Sequence, residues 1–135
     1  MSEPELHKLK TARPAIGFVS PADDFLERHL DLNQFLIQHA AATFFVQVDS
    51  EAMSGDGIFE GDILIVDKSL EAVNGSVVIA IVEGEFLVRR LQRRNNVAVL
   101  VASNPNFPEI KLDSDEELDI WGVVTTAIHS LIHKG

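Results

Sequence analysis

The sequence predicts a mostly β domain, a compact barrel or sandwich with little helix. Short apolar runs recur from Thr43 onward, each closed by turn-forming residues. Two of the breaks, Glu83-Gly84 and Asn95-Asn96, are dipeptides suited to tight hairpins. A helical pattern is confined to a short stretch near the beginning. Regular turns between short strands are the pattern of a small β-barrel or sandwich.

The elements follow in order. The first 16 residues are polar, contain Pro4 and Pro14 and keep no sustained period, so residues 1–16 read as a flexible arm ahead of a domain spanning 17–135. Pro21 opens a helical pattern with Phe25, Leu26, His29 and Leu30 on one side, Asp23 or Asp24 as N-cap and a further turn over Leu32 to Ile37. Thr43 to Val48 is the first strand and Asp62 to Val66 the second. Between them Ser54 to Gly61 reads as two joined turns; its glycines are misspaced for a dinucleotide loop, and a strand follows where a helix should open. Ser76 to Val82 is almost continuously apolar and is expected to be buried on both faces. Phe86 to Leu91 and Val97 to Ala102 form a hairpin. Asn104-Pro-Asn-Phe-Pro is a loop, and Ile120 to Leu131 supplies the last strand or strands. Trp121 and the phenylalanines are expected in the core.

Composition limits the functions. The chain of 135 residues suits one domain with a single core. Without cysteine it has no disulfide and no thiolate metal site, compatible with a reducing cytoplasm. No apolar run approaches the ~18 residues of a membrane helix, and MSEPELHKLK lacks the apolar stretch of a secretory signal. A soluble, cytoplasmic protein without membrane contact is expected. The formal net charge of −10 argues against direct, specific DNA binding. Arg89, Arg90, Arg93 and Arg94 form the basic cluster, read as a solvated hairpin. The histidines, His7, His29, His39, His129 and His133, are scattered; His129 and His133 read as exposed terminal residues, and neither a metal nor a cofactor is expected.

The segment Val46-Gln-Val-Asp-Ser-Glu-Ala-Met-Ser-Gly-Asp-Gly-Ile-Phe-Glu-Gly-Asp-Ile-Leu-Ile-Val-Asp resembles the active-site segment of the LexA/UmuD self-cleaving Ser-Lys peptidases. There a Gly-Asp-Ser-Met motif carries the nucleophile, and a turn-rich loop and a strand follow. Glu83-Gly-Glu-Phe-Leu-Val-Arg-Arg-Leu is similar to the family strand that supplies a general-base lysine. Asp31 to His39 and Leu118 to Val124 are further UmuD-like blocks, so the resemblance runs from Gly17 to about Ile128. A LexA-type repressor carries a helix-turn-helix domain of about three helices before its cleavage site. The 16 residues before Gly17 leave no room for one, so the UmuD type is expected.

The resemblance implies a LexA/UmuD C-terminal-like β fold and a serine that attacks a bond in the protein's own arm, activated by a lysine kept neutral by burial. On this sequence the nucleophile position falls on Ala52, before Met53, and the general-base position on Arg89. Alanine has nothing to attack with, and an arginine stays protonated and cannot act as the base. The acidic residue before the nucleophile is Glu51, and the bond to be cleaved is Ile16-Gly17, with a large β-branched residue where a small one is usual. Ser50 and Ser54 lie two residues from position 52, displaced by roughly 7 Å along a strand, and read as turn-capping hydroxyls. Because Arg89 cannot neutralise, it is expected either to pair with a carboxylate of residues 49–62, Glu51 first, or to lie exposed along an open groove.

The resemblance implies a homodimer, possible heterodimers with UmuD-like proteins, a UmuC-type Y-family polymerase as partner and a RecA filament as stimulus. The expected function is that of a proteolytically inactive accessory or regulatory subunit in SOS mutagenesis. Two alternatives stand beside it. One is a decoy that pairs with active UmuD homologues; the other is a self-cleaving protease inactivated by engineered substitutions.

Overall fold

The computed structural model describes residues 30–112 and 118–132. The expected arm over 1–16, the Ile16-Gly17 bond, the helical pattern from Pro21 to His29 and His133 lie outside them. The chain divides into two compact units, Met1–Leu36 and Ile37–Gly135. In the first, α1 (Leu32–Leu36) is the turn expected there. Asp31 caps it: its Oδ1 accepts the amide of Asn33 at 3.0 Å and that of Gln34 at 3.4 Å.

The second unit is a seven-stranded antiparallel sheet, the mostly β fold expected. A 3-10 turn, Ala40–Ala42, leads into β1 (Thr43–Gln47). Then come β2 (Ile63–Asp67), β3 (Val77–Val82), β4 (Glu85–Arg94), β5 (Val97–Val101), β6 (Ile110–Lys111) and β7 (Ile120–Ile128). Their order across the sheet is β1-β2-β7-β3-β4-β5-β6. Both hairpins turn where the sequence places them. Glu83 and Gly84 have φ of 52° and 83°, and Asn95 and Asn96 have φ of 52° and 68°. Two successive left-handed residues match the twist of the flanking strands, and asparagine and glycine reach that region cheaply.

Two apolar clusters hold the sheet. Val48, Met53, Ile58, Leu64, Val66, Ile79 and Val88 form one. Val78, Ala80, Leu91, Ala98, Leu100, Leu112 and Val123 form the other. β3 gives Ile79 to the first and Val78 and Ala80 to the second, so its apolar run is buried on both faces, as expected. Register shifts between Ile65 and Val66 against β7, and between Ile79 and Ala80 against β7, bend the middle of the sheet. As a result β1 and β4, which are not neighbours, line one cleft.

The aromatic residues depart from expectation. Phe44, Phe45, Phe59 and Phe86 are exposed, and Trp121 is only half-buried. Among the described residues the β1 strand carrying Phe44 and Phe45 is an edge, paired on one side only. Phe44 and Phe86 instead meet Trp121 at centroid distances of 5.4 Å and 5.7 Å. Lys68 closes the cluster with its ammonium 4.4 Å from the Trp121 ring. β6 was not expected as a strand, since two residues carry too short a pattern to read.

Candidate active site

The segment between β1 and β2 is built from turns. A 3-10 turn over Ser54–Asp56 ends at Gly57, whose φ is 84°. Gly61 follows with φ 96°, and its amide reaches the Val48 carbonyl at 2.8 Å, which closes the segment onto its own first strand. Ala52 and Met53 sit inside this knot at 0% and 1% exposure.

The backbone at position 52 is held from two sides. Its amide donates to the Ser50 hydroxyl at 3.0 Å, the capping role expected of that serine. Its carbonyl accepts the amides of Ser103 at 2.9 Å and Asn104 at 3.1 Å. The Asn104 side-chain amide also donates to the Glu51 carbonyl at 3.0 Å. Gly55 lies directly under Ser103, where a Cβ would overlap the Ser103 carbonyl oxygen. The 103–107 loop therefore fixes residues 51 and 52. The sequence predicts a loop there but no role for it; the signal is the polar Asn104 between an apolar strand and two prolines.

Arg89 meets the same loop. It is 7% exposed, and its guanidinium carbon stands 5.6 Å from the centroid of Phe107. Nη1 donates to the carbonyl of its own neighbour, Val88, at 2.8 Å, and Nε is buried without a partner. Arg89 thus neither pairs with a carboxylate nor lies exposed, contrary to both expected arrangements. The reason lies in Glu51, whose Oε2 accepts the Glu60 amide at 3.0 Å and tightens the turn instead. Burial pulls the Arg89 pKa below the ordinary arginine value. The starting value is so high that the group keeps its proton. The rest of the basic cluster behaves differently: Arg90 bonds Asp56 at 3.1 Å and Arg94 bonds Glu109 at 2.9 Å, both near the surface.

Ala52 and Arg89 are therefore brought onto one loop, through Ser103 and Asn104 on one side and Phe107 on the other. No hydroxyl stands at 52, and the cation at 89 has no lone pair with which to take a proton.

Two histidines have roles the sequence did not show. His129 Nδ1 lies 2.6 Å from Oδ1 of Asp62, which is 2% exposed, so it is no idle terminal residue. His39 Nδ1 lies 2.6 Å from Oδ2 of Asp67. Asp67 Oδ1 also accepts the Ser69 amide at 2.8 Å and its hydroxyl at 2.6 Å. These bonds, that to His39 foremost, hold the Asp67 carboxyl down at about 2. The two carboxylates bracket β2, so each pair pins one of its ends. Among the described residues no group of three or more His, Asp or Glu side chains converges on a metal position.

The 103–107 loop thus holds the turn-built segment at position 52 and packs Phe107 against Arg89 of β4. Comparison with known proteins gives the family. The family model described as Peptidase S24-like matches residues 9–125, and the chain belongs to this family. Protein SamA of Salmonella typhimurium is 45% identical over 121 residues, which cover 90% of this chain and 84% of that protein. Protein MucA of Escherichia coli is 41% identical over 121 residues, covering 89% of this chain and 80% of that protein. The LexA repressor of Colwellia psychrerythraea is 37% identical over 119 residues, covering 87% of this chain but only 56% of the repressor. The resemblance read from the active-site segment therefore holds at the level of the family.

Proposed function

We propose that this chain is a UmuD-like accessory or regulatory subunit of SOS mutagenesis that does not cleave itself. Ala52 carries this reading: its methyl group is fully buried at the nucleophile position, and its backbone is locked by Ser50, Ser103 and Asn104. Arg89 at the base position supports it, because a guanidinium cannot accept the proton of a serine even if one were restored. The fold, meanwhile, is kept. Two apolar clusters, the paired ends of β2 and the gripped loop hold the domain together without either catalytic group.

The working form in this reading is a homodimer, or a heterodimer with a UmuD-like protein, that joins a UmuC-type Y-family polymerase in the cytoplasm. Ile16-Gly17 marks the bond that active relatives would cut, and a RecA filament has no cleavage to stimulate here. Co-expression with a UmuC-type polymerase and purification through a tag on this chain tests the role. A complex that survives gel filtration is expected; a polymerase that elutes alone would contradict it.

A further inference from the structure

Trp121 occupies an irregular place in the sheet. Against β3, Ile79 faces Gly122 and Ala80 faces Ile120, so Trp121 is the extra residue of a bulge. Bulges re-aim side chains, and they recur beside functional sites. The indole meets Phe44 of β1 and Phe86 of β4 at ring angles of 59° and 77°. Neither strand is a neighbour of β7, since β2 and β3 stand between. Three rings from three separate strands thus form an open box. Phe44 and Phe86 are 43% and 59% exposed, so two of its walls are within reach from solvent.

The box already holds a cation. Lys68, just past β2, lays its stem over Gly122, where a Cβ would stand 3.3 Å from the Lys68 Cγ. Its ammonium lies 4.4 Å from the Trp121 centroid and 6.0 Å from that of Phe44. Among the described residues no ion pair joins Lys68 to a carboxylate. The rings are its counterpart, because an aromatic face attracts a cation through its quadrupole. Such a resident is readily displaced: an ammonium is strongly hydrated, and fixing its flexible stem costs rotamer entropy. A guanidinium is planar, more weakly hydrated and stacks on aromatic faces, so it suits the indole better. The net charge of −10 draws a basic partner toward the chain. One cation–π contact gives about a tenfold preference. That is too little to retain a free small cation, but enough to orient a protein that makes further contacts.

We propose that Phe44, Phe86 and Trp121 form a docking box for an arginine side chain of a basic partner protein, with Lys68 as the built-in ligand that the arginine displaces. The box uses neither position 52 nor position 89, so it stands whether or not the chain is catalytically silent.

The test titrates the full chain, labelled with nitrogen-15, with the Nα-acetyl amides of arginine, lysine and citrulline at constant ionic strength. The single tryptophan gives one indole N–H resonance to follow by NMR. A saturable shift is expected, with arginine at least about fivefold tighter than citrulline, its neutral isostere, and tighter than lysine. Lys68→Ala should tighten arginine binding about threefold by removing the competitor, and Phe86→Leu, at an exposed ring, should weaken it by a similar factor. The backbone amide spectrum of each variant shows that its fold is kept. An indole resonance that does not move, or equal affinities for arginine and citrulline, would overturn the proposal. So would lysine binding as tightly as arginine, or a folded Lys68→Ala chain that binds arginine no tighter than the natural one.

Discussion

Arginine at position 89 sits where its charge is hardest to accommodate. Its Nη1 bonds one backbone carbonyl, its guanidinium carbon lies 5.6 Å from the Phe107 ring centroid, and Nε has no partner. An anion at the same place would lose the ring contact and the carbonyl bond together. Arg89→Glu is expected to cost about 3 kcal/mol or more, while Arg89→Lys is tolerated; urea unfolding of the three chains decides it. The companion residue gives a chemical prediction. Ala52→Ser alone should stay inactive, because a serine without a base is a poor nucleophile at neutral pH. Ala52→Ser with Arg89→Lys should yield slow self-cleavage, limited by the bulk of Ile16. Efficient cleavage by the single variant would remove Arg89 from the base position. At this scale the sequence was legible in identity and silent on surroundings. The alanine methyl and the arginine charge can be read from residue type, but the destination of the guanidinium depends on Phe107 and on Glu51 being engaged by Glu60. Both are contacts between segments distant in sequence.

β2 shows how elements are tied into the site. Asp62 and Asp67 stand at its two ends, each bonded to a histidine from another part of the chain. The Asp67 carboxyl has its ordinary value of 3.8 in the unfolded chain and about 2 in the fold. Its bonds therefore stabilise the fold fully above 3.8, and that contribution is lost as the pH falls through about 2. Asp67→Asn should be less stable than the natural chain at neutral pH, and the difference should shrink across that acidic window. Urea midpoints measured from pH 2 to 7 test it; a gap independent of pH would assign the loss to packing. The 103–107 loop offers a second check. Gly55→Ala would press a methyl group on the Ser103 carbonyl, and moving that loop is expected to cost about 1–3 kcal/mol. Strands with a strong pattern and clear turns were readable: Asn95-Asn96 announced the β4–β5 hairpin, and the apolar run of Val77–Val82 announced a strand buried on both faces. β6 was not, because its pairing of Val99 with Lys111 and Leu100 with Ile110 is set by the partner strand. Nor was the exposure of Phe44 and Phe45, which follows from the edge position of β1 and not from residue type.

For the whole molecule, charge and catalytic competence set the expectations. With a net charge of −10, weak and salt-labile affinity for duplex DNA is expected. Binding that persists above physiological salt in a filter or mobility assay would indicate a repressor-like role. The central claim is that a peptidase-family fold here works without peptidase chemistry. Purified chain incubated with a RecA filament, and separately at alkaline pH, tests it by intact mass. Alkaline conditions help a lysine base to lose its proton, and Arg89 gains nothing from them. Only the full-length mass is expected at every time point. A fragment beginning at Gly17 would contradict the account.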